Sequence, residues 1–541
     1  MAINFFKKNW ELFLLAVVYI LFSWQYSVPL TGDQKVYIST AMEMRLHNSF
    51  LYPYLFGETS YYKPPFVYWS LITSWLIFGF NQFATVLPGI LAVLISSFFL
   101  KKTYLLFHKD RLLESSLIPL FFGSSMGVFT FGLSAQMEIY LVLFYILSWY
   151  FVLRFLHSKN FVFLFIAFFF VGILSIVKSP LYSVLWSIGF AFFLFLSNQK
   201  SVFSNFKTYG ALLFGIFVAS SWFVFILSTD SERFLNRYLY IETLSKINVP
   251  SAPTSRIWTD YLTFIFPFGV FLPFVIFKNQ ISKREWLFLG CWSLPIALFF
   301  SLFPYKTETY LFPMLPAWVL GFVLFLNDSN LKKMKRFVLP RMIIGFIFLF
   351  IGPLISVVLY RAEMIDLFPA FVMSAASLFG VLANLFLKNW RAIGLSFVVL
   401  IFGIILSVRS MGEKEMAPLR SAVAFSGGVE LIWLDEVSHI WHEIGLVSAA
   451  LGREINRIKS FENYKEALFS GAVAIASPED LKRVENDFPG RVNSLLVWRR
   501  WKTRNGFPFK ELLLYGKKGF KDYDQRLIRE FYLIQLHKKQ H

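Results

Sequence analysis

Residues 161–177 read FVFLFIAFFFVGILSIV, seventeen positions from Phe161 to Val177 without one charge. They are followed by Lys178-Ser179-Pro180 and a second apolar run over 182–197. A helix crosses a bilayer with roughly 20 apolar residues, so this punctuated pair predicts two consecutive membrane spans. The same pattern recurs along the chain from Leu12 to about Val408. The expected spans lie near 12–29, 83–100, 115–133, 139–156, 161–177, 182–197, 208–227, 258–277, 286–303, 311–326, 337–360, 367–387 and 393–408. A shorter apolar piece, 66–80, is read as an interfacial or re-entrant helix. Composition agrees: of 541 residues, 57% are hydrophobic, 20% aromatic and only 16% charged, and the mean hydropathy is +0.58. Soluble domains carry about a quarter charged residues, so a soluble enzyme, a disordered chain and a disulfide scaffold are excluded. The single cysteine, Cys291, lies in an apolar stretch and excludes a thiolate metal cluster.

The formal charge is +19. In a membrane protein, excess Lys and Arg mark cytoplasmic loops rather than nucleic-acid contacts. Of 30 Lys+Arg in residues 1–408, 20 fall on the N-terminal side of the expected spans, including Lys101/Lys102 and Lys332/Lys333/Lys335/Arg336. Thirteen spans then place the N-terminus in the cytoplasm and the tail outside. No small-x-small cleavage site follows the first span, so it is expected to stay as an anchor. Residues 409–541 form a different region, with 22 Lys+Arg against 17 Asp+Glu. Strand-like runs there (Val429–Leu434, Ala472–Ala476, Ser494–Trp498, Phe509–Tyr515) and a helix start at Ser477-Pro478-Glu479-Asp480 predict a soluble α/β domain. The fold class is thus an all-α polytopic core of about 13 helices with a C-terminal α/β domain.

The first outer loop, 31–65, is far longer than a connecting turn, and such loops are often functional. It opens Gly32-Asp33-Gln34-Lys35-Val36-Tyr37 as a helical stretch, with Asp33 and Tyr37 on one face. It closes with Tyr61-Tyr62-Lys63-Pro64-Pro65, whose prolines stop a helix and hold Lys63 at the membrane surface. Further outer-face candidates are Glu138, Lys178, Arg237, Glu242, Lys306 and Tyr310. A carboxylate can act as general base on a hydroxyl, while cations hold a leaving phosphate at headgroup level. Each residue also has a plainer reading. Asp33 can cap a helix, Glu138 can favour a helix start, and the lysines can snorkel to headgroups.

Asp33 with Tyr37, Tyr62-Lys63-Pro64-Pro65 with Tyr68-Trp69, Leu87-Pro88, Val177-Lys178-Ser179-Pro180, and Lys306 through Tyr310 with Pro313 and Pro316 occur in a familiar order. That order resembles the membrane glycosyltransferases of the GT-C superfamily, in the branch holding the lipid A aminoarabinose transferase and the protein O-mannosyltransferases. The resemblance implies inverting transfer of one sugar from a polyprenyl-phosphate donor, outside the cytoplasmic membrane, to a glycolipid or protein hydroxyl. It implies Asp33 and Glu138 as the catalytic acids and Lys63, Lys178 and Lys306 near the donor phosphate. Tyr37, Tyr62, Arg237, Glu242 and Tyr310 are candidates for substrate contact. No cofactor is expected, and the positions where relatives are associated with a divalent metal hold Tyr62 and Thr243 here. The rival readings are a transporter or lipid flippase, with ionisable groups along a path, and an envelope scaffold that uses the tail for binding.

Overall fold

Polar residues at the ends of the apolar runs set the helix boundaries. The computed structural model describes residues 9–23, 32–55, 58–111, 115–247, 253–265, 281–307, 309–326, 366–382, 416–424, 429–434, 455–501 and 528–537, with isolated positions elsewhere. Its first helices are α1 (Trp10–Ser23), α2 (Gly32–Leu46), α3 (Phe66–Phe78), α4 (Gln82–Phe107), α5 (Leu117–Gly123), α6 (Met126–Gly132) and α7 (Glu138–Ser158). There follow α8 (Phe161–Val177), α9 (Pro180–Leu196), α10 (Phe206–Thr229), α11 (Ser231–Phe234), α12 (Thr254–Phe264), α13 (Lys283–Leu302), α14 (Leu315–Leu326) and α15 (Leu367–Leu382). Side chains of Asn81, Asn160, Ser179 and Asn205 accept from the first free backbone N–H groups of α4, α8, α9 and α10. Ser282 and Glu285 form a reciprocal capping box on α13. Such caps contribute roughly 1 kcal/mol each and leave little freedom in where a helix starts.

Among the described residues, α4, α7, α10 and α13 are long and apolar enough to cross a bilayer, and six shorter apolar helices accompany them. This is a membrane protein. The short α3, 13 residues or about 20 Å, cannot span a bilayer. It packs on α2 and α4 and turns into α4 through Gly79, whose φ of +77° suits glycine. The run at 115–133, expected as one span, is instead two seven-residue helices. Ser125 breaks it: its backbone is extended and its hydroxyl donates to the Phe122 carbonyl at 2.6 Å. The runs 337–360 and 393–408 fall almost entirely outside the described residues.

Helix packing relies on absent side chains. A methyl on Gly172 of α8 would stand 2.7 Å from the Gly215 carbonyl oxygen of α10, and one on Gly189 of α9 would collide with the Cys291 carbonyl of α13. Small residues let membrane helices approach backbone to backbone, where dispersion is greatest. At the end away from the first loop, charges are buried in pairs. Lys101 of α4 bonds Glu11 of α1 and also donates to Asn9 at 3.2 Å, and His108 meets Glu285 at 2.5 Å.

The first loop carries a small hairpin, β1 (Tyr54–Leu55) and β2 (Glu58–Thr59). In the tail, β3 (Leu431–Leu434), β4 (Asn456–Ile458), β5 (Val473–Ala476), β6 (Val492–Trp501) and β7 (Ile528–Leu536) form one sheet in the order β4-β3-β5-β7-β6. The first three are mutually parallel neighbours, and β7 runs antiparallel between β5 and β6. Three of the four expected strands are present; the fourth, Phe509–Tyr515, lies outside the described residues. The helix start at Ser477 is a capping box with Asp480 and opens α17 (Pro478–Asp487). Helix α16 (Phe461–Phe469), β4 and β7 were not expected. Strand alternation splits the sheet's side chains. Ile432, Leu434, Ala474 and Ala476 face the α16/α17 side, while Leu431, Trp433, Val473 and Phe531 join the core continuous with the membrane helices. Arg457 of β4 lies 3.7 Å from Glu43 of α2, so the tail touches the helix that carries Asp33.

The glycine contacts give a test. Gly172→Val drives two methyls into the α10 backbone and should lower stability by about 1–3 kcal/mol. Gly290→Ala adds a methyl that meets only Leu294 Cδ1, at 3.8 Å, and should leave stability unchanged or slightly raised. Thermal melts of the purified protein in detergent compare the two.

Candidate active site

The prolines after Lys63 convert an extended strap into α3, and this places Lys63 beside the start of α2. Asp33 lies in the first turn of α2, where the helix dipole favours a carboxylate. Its Oδ1 accepts from the Tyr62 hydroxyl at 3.4 Å. The Tyr62 ring stacks 4.0 Å beneath the Lys63 ammonium, and Tyr37, fully buried, packs against Tyr62 and Tyr68. The sequence expectation that Asp33, Tyr37, Tyr62 and Lys63 lie together is what the geometry has. Behind the strap, buried Tyr61 donates to Asp230 at 2.7 Å, and Thr59 of β2 reaches the same carboxylate oxygen at 3.3 Å.

Lys63 donates to Glu242 Oε2 at 2.8 Å. Glu242 lies on a ten-residue π-helical segment, Leu235–Leu244, that continues from α11. Lys246, one turn further on, reaches the same oxygen at 2.9 Å. A second ion pair stands nearby. Glu138, at the first position of α7, accepts from Lys178 at 2.8 Å. Glu138 is buried and Lys178 half-buried, and Lys178 also donates to Thr309 at 3.3 Å and faces the Tyr310 ring at 5.6 Å. Asp33 joins the two pairs, because Glu138, Lys63, Lys178 and Glu242 all act on its charge.

The electrostatics follow from this crowding. Asp33 opens to solvent on one side, but the surrounding protein desolvates it and raises its carboxyl above the usual aspartate value. Glu138 and, more weakly, Glu242 add to the rise, and Lys63 and Lys178 oppose it. A raised carboxylate is a stronger base. Burial lowers Lys63; Glu242 pulls it back up and Lys246 pushes it further down. Burial pushes Glu242 up, but Lys63 and Lys246 outweigh that and hold it below the usual range. Burial, then Asp33 and Glu242, raise Tyr62, which keeps its hydroxyl as a donor.

Two further candidates are Lys306 and Arg237. Lys306 is buried and donates to the Phe303 carbonyl at 2.7 Å, beyond the end of α13. Arg237 is exposed on the π-helical segment and, among the described residues, makes no hydrogen bond or ion pair with the other candidates. Lys246, Thr309 and Asp230 belong to the cluster and were missed. For Lys246 there was a signal: Glu242 and Lys246 are four apart, the spacing of a helical ion pair. For Asp230 and Thr309 there was none. Tyr62 and Thr243 supply hydroxyls in place of a carboxylate or imidazole, and Thr243 donates to the Tyr238 carbonyl at 2.9 Å. That donor set does not fit a divalent cation. The two loops are tied instead by the adjacent Lys63–Glu242 pair.

A long apolar groove lies between α8, α9 and α10, with a volume of about 710 Å³. Phe168, Val184, Ile188, Ile216 and Phe223 line it, and Pro180, two residues after Lys178, lies at its wall.

Comparisons with known proteins bear on the family and the fold. Residues 62–225 match the family model of the dolichyl-phosphate-mannose-protein mannosyltransferases. A protein of Aquifex aeolicus (strain VF5) described as uncharacterized is 24% identical over 336 residues, 60% of this chain and 66% of that protein's length. Two crystal structures of ArnT from Cupriavidus metallidurans share the fold. The apo structure superposes with a TM-score of 0.69 at 14% identity, covering 90% of this chain and 95% of that one. The structure bound to undecaprenyl phosphate gives 0.70 at 13% identity and covers 97% of both chains. The resemblance read from the sequence is thus met by a family match over residues 62–225 and by the ArnT fold shared along the chain.

The raised carboxyl predicts a pH profile. If Asp33 is a proton acceptor it must be ionised to act, and kcat/KM should then fall on the acid side at a pH above that of an ordinary aspartate. Glu138→Gln removes the carboxylate that raises Asp33 and frees the Lys178 charge. It should shift that acid limb to lower pH, as read from the pH dependence of sugar transfer.

Proposed function

We propose that this protein is an integral membrane glycosyltransferase moving one sugar from a polyprenyl-phosphate donor to an envelope hydroxyl, on a glycolipid such as lipid A or on protein. The observation that carries this reading is the convergence of Asp33, Tyr62 and Lys63 with the Glu138–Lys178 pair, from segments far apart in the chain. The apolar groove beside Pro180 suits an isoprenoid chain, as does the ArnT fold, which in its bound form holds undecaprenyl phosphate.

In this reading the donor phosphate lies against Lys63 and Lys178, with Lys306 assisting. The acceptor oxygen attacks the anomeric carbon from the face opposite the phosphate, and the configuration inverts. As the new C–O bond forms, the C–O bond to phosphate breaks, and polyprenyl phosphate leaves with the bonding pair. Asp33 takes the acceptor proton, and the lysines stabilise the charge that develops on the leaving group. Glu138 holds Lys178 and raises Asp33. Tyr37 and Tyr62 support Asp33 from below, and Tyr310 walls the Lys178 side. No step passes through a metal. The chain divides at about 408/409 into a core of thirteen spans and an outer α/β domain. The N-terminus is cytoplasmic, and the site and tail face the periplasm.

A deletion strain complemented with wild type or Asp33→Asn tests this, by mass spectrometry of envelope lipids and delipidated proteins. Wild type should restore a single-sugar mass difference, and the fraction that carries it names the acceptor. Asp33→Asn should lower the transfer rate at least about a hundredfold at equal expression. No sugar difference in either fraction, with both proteins expressed, would move the weight to the transporter reading.

A further inference from the structure

Two lysines meet on one oxygen. Lys63 and Lys246 both donate to Oε2 of Glu242, at 2.8 and 2.9 Å. One comes from the first loop and the other from the loop after α10, 183 positions later. Each ammonium also rests on an aromatic ring, Lys63 on Tyr62 at 4.0 Å and Lys246 on Tyr305 at 5.5 Å. All three charged side chains are mostly buried, with 13%, 16% and 23% of the Lys63, Glu242 and Lys246 side chains exposed. Two partly desolvated cations that close on a single oxygen repel each other unless an anion sits between them. A terminal phosphate oxygen satisfies the same two donors at the same distances and brings more charge than a carboxylate. Glu242 itself lies on a π-helical segment, a conformation that proteins keep mainly at functional sites.

We propose that Glu242 is an internal stand-in for the donor's phosphate. It holds Lys63 and Lys246 as a two-lysine clamp until a lipid-linked phosphate takes its place. Lys246 is thereby a phosphate-binding residue alongside Lys63. The exchange breaks no covalent bond: Glu242 rotates away and the phosphate oxygen accepts both ammonium groups. The carboxylate thus keeps the clamp assembled when empty, at the cost of competing with the ligand. This inference rests on the donor reading above.

The test is binding of undecaprenyl phosphate to the purified full chain in detergent, titrated by native mass spectrometry, with undecaprenol as the phosphate-free control. Glu242→Gln removes the competing charge and should bind at least about fivefold more tightly than wild type. Glu242→Asp, which keeps the charge, should bind no tighter than wild type. Lys246→Ala should bind at least about fivefold more weakly. Undecaprenol should bind all four proteins alike. Affinity of Glu242→Gln equal to or below that of wild type overturns the stand-in role. If that variant fails to fold, Lys246→Ala decides alone, and undiminished affinity overturns the clamp. Failure of wild type to bind undecaprenyl phosphate at all would instead remove the donor reading beneath it.

Discussion

A lysine at the rim of a bilayer that gives up water must be given a counter-charge, and that requirement organises the outer end of this molecule. Lys63 and Lys178 are largely removed from solvent, and each is answered by a carboxylate at 2.8 Å. The pairs do not lie along one helix. Lys63–Glu242 joins the first loop to the segment after α10, and Lys178–Glu138 joins the end of α8 to the start of α7. Breaking one partner of such a pair leaves a desolvated charge, a cost of roughly 3–5 kcal/mol. The loops are therefore fixed by the charges that chemistry on a phosphate would use. At the opposite end of the helices the same rule holds with no chemistry attached, where Lys101 and Glu11 are buried against each other.

The apolar part of the fold serves those charges by fixing where the helices end. Ser179 caps α9 with Pro180 at its first turn, so α8 must stop at Val177 and Lys178 is left at the turn. Pro64 and Pro65 do the same for Lys63 at the start of α3. Glycine-mediated contacts between α8 and α10 and between α9 and α13 bring these turns to a common level. A few small or cyclic residues thus decide where the ionisable ones stand.

Much of this was legible in the sequence, for a physical reason in each case. Apolar runs with polar punctuation gave α8, α9 and α10 to within about two residues, because in a membrane a helix ends where its polar residues begin. Asp33, Tyr62 and Lys63 were found because proline and loop length are local signals. The Ser477–Asp480 capping box was found because a cap lies within four residues of itself. The failures are of another kind. Ser125 interrupts an apolar run with an extended backbone, whereas Ser148 makes the same bond to the residue three before it inside an unbroken α7. The strand β7 sits between β5 and β6, and pairing at long range has no local sign.

The tail is where local reading carried least. Its central strands β3 and β5 are buried on both faces, against α16 and α17 on one side and in the core shared with the helices on the other. A strand buried on both faces loses the polar alternation that marks a surface strand, which is why β3 and β5 read as plain apolar runs. The same double burial means the tail does not hang free. Trp433 and Phe531 meet edge to face, with ring centroids 5.3 Å apart, within the core that the membrane helices share. Arg457 reaches Glu43, at the far end of the helix that begins with Asp33. That helix is therefore held at its start by the site's charges and tyrosines and near its end by the tail. Through that contact the tail is joined to the helix that carries Asp33.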